Sequence, residues 1–385
     1  MTNKICDMLG IEFPLIAFSH CRDVVAAVSR AGGMGVFGGV NCSPETLEEE
    51  LSWIDDHVDG KPYGLDIIVP NKVEGKGEQL DPETVLASIP EGHKQFTNEI
   101  LQRHGVDVGR ISGDIEAVRR EQVASTENLR GGTAAAILDV AFRHPIGLVA
   151  NALGVPPPVM LEMGKQHGVP VAALIGTKEH AMNQVAAGVD IIVAVGGEAG
   201  GHTGEISTMV LIPEVCNALA AMGDDTPVLA AGGIATGTQM AAAMSMGASG
   251  VWCGSVWLTT VEAETNPVVK EKMLAASSRD TVRARSRTGK PSRQLRSPWT
   301  DAWQAEGAPT PLPMPLQSLV AEPPLRVLDK LSQGDSQGAK DLATYWVGQG
   351  VGLMNEQMTA GQVVQGFKED FLAAYERLAA NLGEL

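Results

Sequence analysis

Along the first 260 residues, short apolar runs alternate with stretches of helical periodicity. Pro14–Ser19 reads as a strand, Arg22–Arg30 as a helix, and Met34–Gly38 as a second strand beyond the turn Ala31-Gly32-Gly33. Ser43-Pro44-Glu45 predicts the next helix start: the hydroxyl can cap free amides, proline suits the first turn, and the carboxylate meets the positive helix end. Tyr63–Val69 is the third strand. Over Pro70–Gly131 the rhythm gives way to polar, charged sequence that predicts helices near Gly92–His104 and Gly113–Asn128. It resumes with strands at Ile146–Ala152, Pro170–Ile175, Asp190–Val195, Pro227–Ala231 and Gly250–Cys253. Helices at Pro157–His167, Lys178–Ala187, Leu211–Met222 and Thr238–Met246 link them.

Several of these strands are apolar throughout, as strands of a parallel sheet covered on both faces are. Eight such units predict an α/β fold of the (β/α)8 (TIM) barrel type, with an open doubly wound sheet as the alternative. The expected division is a barrel from 1–70 and 131–260, a helical insertion at 71–130 after strand 3, and a C-terminal cap or second domain at 261–385. That last region holds the proline-rich Ala308–Pro315 and the helical Asp341–Leu385.

Composition narrows the class further. The chain has 385 residues, 44% of them apolar but only 4% aromatic, which suits packed helix–strand repeats better than an aromatic-rich sandwich. A formal net charge of −17 argues against nucleic acid or anionic membranes as partners. Cys6, Cys21, Cys42, Cys216 and Cys253 are scattered, with no C-x-x-C pair, so neither a disulfide framework nor a zinc site is expected. The N-terminus lacks a signal-peptide core, and no apolar run approaches the roughly 20 residues of a membrane span. A cytoplasmic protein is expected, and no carboxylate–histidine cluster has metal-ligand spacing.

Three glycine-rich segments stand where chemistry would sit on such a barrel. Gly232-Gly233 follows an apolar strand and precedes a helix, and Gly254-Ser255 repeats the arrangement after the last strand. Glycine lets backbone approach a ligand closely, and neighbouring turns after the last two strands match the phosphate site common on these barrels. Gly196–Gly204 follows the sixth strand, with five glycines in nine residues, and carries His202, an imidazole able to act as base near neutral pH. Gly33–Gly38 fits G-x-G-x-x-G but leads from a helix into a strand, the reverse of the dinucleotide fingerprint, and reads as a tight turn. His20-Cys21-Arg22 follows the first strand; packing or capping is the simpler reading, and a nucleophilic Cys21 would need a lowered pKa. Arg283, Arg285, Arg287, Lys290, Arg293 and Arg296 form a basic run suited to salt bridges, as at a subunit contact, or to a coenzyme phosphate.

Taken in order, Tyr63-Gly64-Leu65-Asp66, Glu198-Ala199-Gly200-Gly201-His202, Ala230-Ala231-Gly232-Gly233-Ile234 and Gly254-Ser255 resemble the nitronate monooxygenase (2-nitropropane dioxygenase) family, as does Val347-Gly348-Gln349-Gly350 near the end. The similarity spans the barrel, roughly Ile11–Thr260. It implies FMN at the C-terminal ends of the strands, its phosphate on the amides of Gly232, Gly233, Gly254 and Ser255. The ring would rest near Ala17, Phe18 and Ser19, close to Asp66, and face Gly200, Gly201 and the catalytic His202. The implied reaction is oxidation of an alkyl nitronate with O2 to a carbonyl compound and nitrite, in a protein that could form a homodimer. Two positions depart from the family pattern: Asp66 replaces a common Asn, and Val195 a common Gln. An NAD(P)H-dependent quinone or enoyl-thioester reductase on the same scaffold is the alternative, and a flavin-free phosphosugar isomerase or aldolase barrel a more distant one.

Overall fold

The computed structural model describes residues 3–40, 42–68, 82–128 and 133–382. Its barrel strands are Leu15–Ser19 (β1), Met34–Gly38 (β2), Gly64–Ile67 (β3), Leu148–Asn151 (β4), Val171–Ile175 (β5) and Ile191–Val195 (β6). A two-residue strand outside the barrel, Gly201–His202 (β7), precedes the last two, Val228–Ala231 (β8) and Gly250–Cys253 (β9). All neighbours pair in parallel, and β9 closes on β1 through Leu15–Val251, Ile16–Trp252 and Ala17–Cys253. Closure excludes the open doubly wound sheet. The expected third strand ends at Ile67; Val69 and the start of the 71–130 insertion lie outside the described residues.

Alternation along the strands sorts the core into two layers. Ile16, Val36, Leu148, Ala172, Val193 and Leu229 fill the barrel interior, whereas Leu65, Ile67 and Val149 pack outward against helices. The Gly33–Gly38 segment belongs to this packing. A Cβ on Gly35 would stand 2.2 Å from the Val25 carbonyl oxygen, so glycine lets the helix Arg22–Arg30 press on β2.

Beyond β9 the chain runs through the short turn Ser255–Thr259 and helix Pro267–Ala275 into the hairpin Thr281–Ala284 (β10) and Ser292–Leu295 (β11). Helices Glu91–Arg103 and Val108–Asn128 of the insertion share one apolar core with Pro298–Ala302, Leu316–Ser332 and Gln337–Leu342, built from Ile100, Leu101, Trp299, Val320, Leu328 and Leu342. Insertion and C-terminal segment thus form one body. The 341–385 stretch, expected in the cap, divides here: helix Ala360–Leu382 packs against Arg22–Arg30 and Gly237–Ser245 in the barrel wall. Its Val363, Val364 and Phe367 join the barrel core, and bare Gly237 admits the contact, since a Cβ there would lie 1.9 Å from the Phe367 carbonyl oxygen.

Candidate active site

Strands β6, β8 and β9 are consecutive neighbours, so the glycine segments that follow them emerge side by side at one barrel mouth. Gly232 (φ 105°) and Gly233 (φ 71°) adopt left-handed backbone that side chains resist. They also have no room for one: a Cβ on Gly232 would lie 2.9 Å from the Gly196 carbonyl oxygen, and one on Gly233 2.9 Å from the Glu198 Cβ. Thr208, at the start of helix Thr208–Ala221, ties the first two loops. Its hydroxyl lies 2.8 Å from Glu198 Oε2 and 2.9 Å from the Gly232 carbonyl oxygen, and its backbone amide also donates to Glu198 Oε2. The helix starts at Thr208, three residues before the Leu211 expected from the sequence pattern; the Ser207-Thr208 pair is the local signal for the earlier start.

The resembling tail motif closes over these loops. Gln349 donates to the Glu198 carbonyl at 2.8 Å, and Gly348 donates to Ser255 Oγ at 2.8 Å. Gly200 lies so close that a Cβ would stand 2.8 Å from Gly348 N. Segments 198–200, 255 and 347–350 therefore interlock. The Ser255 hydroxyl is committed to this joint, while its amide begins a short helical turn, where no intrahelical acceptor exists.

The mouth's floor is the last inward-facing layer of the strands. Phe18, Leu174 and Val195 line it half-buried, and Trp252 lies nearly parallel to Phe18, ring centroids 6.4 Å apart. Gly38 opens space there for the rings of Phe18 and His20. His20 stands exposed with Nδ1 2.8 Å from the Gly38 carbonyl oxygen; a carbonyl can only accept, so Nδ1 carries the proton and Nε2 is the basic nitrogen. Asp66 sits in the same layer, 2% exposed, with Oδ1 lacking any hydrogen-bond partner; burial raises its pKa well above the ordinary aspartate value. Ala17 turns the other way, into the core shared with the helices, so its side chain cannot meet a ligand in the mouth. Ser19 is likewise turned to structure, its Oγ accepting from the Cys21 amide at 3.1 Å.

His202 rises beside the mouth on β7, which β11 holds in antiparallel register through Ser292. Its Nε2 lies 2.8 Å from Thr288 Oγ1, and its ring tilts toward Trp346 at 6.0 Å. Surrounding protein, then the Lys290 ammonium, hold its pKa below the usual histidine value against the opposing Glu322 carboxylate. This direction favours the neutral imidazole over the imidazolium.

Most of the basic run is spent inside the chain. Arg287 forms a two-point bridge with Glu322 at 2.6 and 3.2 Å and lies 4.1 Å over Trp346. Arg293 donates to the Gly197 carbonyl at 2.9 Å, Arg296 bonds Asp301, and Arg283 bonds Glu205; Arg285 and Lys290 stay exposed. Cys21 is buried, donates to the Glu262 carbonyl, and has its thiol pKa raised by burial, the opposite of what a nucleophile requires. Cys21, Asp23 and Glu264 bring ligand atoms within 4.8 Å of one another, but such a thiol is a poor metal ligand until deprotonated. Among the described residues no helix is long and apolar enough to cross a membrane.

The sequence matches the nitronate monooxygenase family over residues 3–370. It is 52% identical over 374 residues to a Mycobacterium tuberculosis protein, Rv1533, provisionally named a monooxygenase, covering 97% of each chain. A Staphylococcus saprophyticus protein provisionally named nitronate monooxygenase is 26% identical over 77% of this chain and 79% of its own length. Among solved structures, FabK from Thermotoga maritima superposes with a TM-score of 0.70 at 26% identity, over 98% of both chains. Nitroalkane oxidase from Streptomyces ansochromogenes shares the fold, with a TM-score of 0.75 at 22% identity over 97% of this chain and 99% of that one.

Proposed function

This chain belongs to the nitronate monooxygenase family, and from that premise we propose that it oxidises alkyl nitronates with O2, using FMN, to carbonyl compounds and nitrite. That it is an oxidoreductase follows from the family; cofactor and substrate are the proposed part. One observation carries the reading: two glycine turns abut at the ends of adjacent strands β8 and β9, with the His202 loop against them and an apolar, aromatic floor beside them.

The residues present fit FMN. The amides of Gly232, Gly233, Gly254 and Ser255 would take the phosphate, where bare backbone permits close approach. Phe18 and Trp252 offer apolar surface for a flat ring, and Asp66, turned into the barrel, is a polar side chain in the same layer. When bound, FMN supplies the electron acceptor that no side chain provides. The chain's own part is to bind, orient and handle protons. A nitronate is already a carbanion equivalent and needs no base. A neutral nitroalkane must first lose its α-proton, and His202 is suited to take it: its ring is held at Nε2 by Thr288, and its lowered pKa favours the unprotonated form.

The test is the visible spectrum of the purified protein, followed without oxygen after adding propyl-2-nitronate or, separately, NADPH. A flavin spectrum that changes with nitronate alone supports the proposal. Bleaching by NADPH alone would overturn it in favour of a reductase, a reading that the exposed Arg285 and Lys290 near the His202 hairpin would serve as phosphate contacts. A colourless protein that binds no flavin would sink both.

A further inference from the structure

Strand β3 carries one polar side chain, Asp66, between Leu65 and Ile67, which face the helices. Alternation turns Asp66 into the barrel. In the register it stands between Gly38 of β2 and Ala150 of β4, neither of which offers a charge or a donor side chain. From the end of β1 come Phe18, which is apolar, and His20, whose Nδ1–H is given to the Gly38 carbonyl. Across the floor lie Leu174, Val195 and Trp252. Asp66 is 2% exposed and its Oδ1 has no partner.

Among the described residues, an ionised carboxyl in this setting would give up water with no cation or donor in exchange, whereas the neutral acid gives up far less. The neutral acid also has what its surroundings lack, an O–H to donate. We propose that Asp66 is kept as the carboxylic acid and donates a hydrogen bond to an acceptor atom of the flavin ring. This rests on the flavin reading above. Burial raises the Asp66 pKa, in keeping with that geometry. A protonated Asp66 does not repel the negative charge that the ring gains on reduction, and it makes a flavin contact with an acid where a neutral amide would otherwise serve.

The experiment combines infrared spectroscopy with FMN binding on the full chain, comparing wild type with Asp66→Asn and Asp66→Leu. The wild type should show, at neutral pH, a carboxylic-acid C=O stretch that shifts in D2O and is missing from Asp66→Asn. By flavin fluorescence, Asp66→Asn, which keeps a donor, should bind FMN within about threefold of wild type. Asp66→Leu, which has none, should bind about tenfold more weakly. Should the Leu chain fail to fold, the infrared band and the Asn variant still decide the matter. An ionised Asp66 at neutral pH, or a folded Leu variant that binds FMN as well as wild type, would overturn the proposal. Failure of the wild type itself to bind FMN would overturn the cofactor reading, and the infrared band would still report the state of Asp66.

Discussion

Alanine at Gly200 is expected to weaken FMN binding about a hundredfold, through a clash that no side chain can step aside to relieve. The new Cβ would stand 2.8 Å from Gly348 N, 2.8 Å from Val347 C and 2.9 Å from Val347 Cα. That is about 0.6 Å inside ordinary contact, and every atom in the way is backbone. Overpacking typically costs about 1–3 kcal/mol, and rigid neighbours put this site near the upper end. Separating segment 347–350 from the loop relieves the strain but breaks the Gln349–Glu198 and Gly348–Ser255 bonds, so the loss appears at the proposed FMN site. The melting temperature should fall by about 5 °C. Gly201 provides the control. A Cβ there meets nothing within 4 Å, and only the left-handed φ of 73° resists alanine, at about 1–2 kcal/mol. FMN fluorescence titration and thermal melts of both variants make the assay. A Gly200→Ala protein that binds FMN and melts like wild type, or that is milder than Gly201→Ala, would refute the interlock.

Other perturbations test separate parts of the molecule. His202→Asn should lower turnover of neutral nitroalkanes far more than of nitronates. In the wild type, nitroalkane kcat/KM should rise with pH through a value below the ordinary histidine pKa of about 6.5 and stay flat above it, as the proposed role of the unprotonated imidazole as base requires. Equal losses on both substrates, or a limb above that value, would leave His202 no role as base. Asp66→Asn should stabilise the protein as pH rises. The folded pKa of Asp66 is raised, so its contribution is fully present below the unfolded value of about 4 and is lost as pH climbs toward the folded one. The stability gap in denaturant melts should widen by about 1.4 kcal/mol per pH unit over that window; parallel curves would refute it. Tyr63→Phe removes a 2.6 Å bond to Asp55 at the opposite barrel end and should cost about 1 kcal/mol of stability while leaving FMN affinity unchanged. Phe367→Ala, in the helix that completes the wall, should cost about 3–5 kcal/mol; a loss under about 1 kcal/mol would mean that helix is dispensable.

Much of the barrel was legible because its signals are local. A run such as Ile191–Val195 is apolar on both faces wherever it is read, and glycine turns after strands announce close backbone whatever lies across from them. The order of these runs was enough for a barrel, and the Gly200-Gly201-His202, Gly232-Gly233 and Gly254-Ser255 motifs follow strands that are neighbours in it. Tertiary structure decided what depends on residues far apart in the chain. Helix Ala360–Leu382 returns to the wall because Gly237, more than a hundred residues earlier, leaves room for it. His202 is held by a hairpin some ninety residues downstream, and the basic run finds its partners in Glu322, Asp301 and the Gly197 carbonyl. The facing of Ala17 and the isolation of Asp66 belong to the same class. The strand's register and closure determine whether a side chain meets solvent, helix or barrel interior, and for an ionisable group that choice determines its charge.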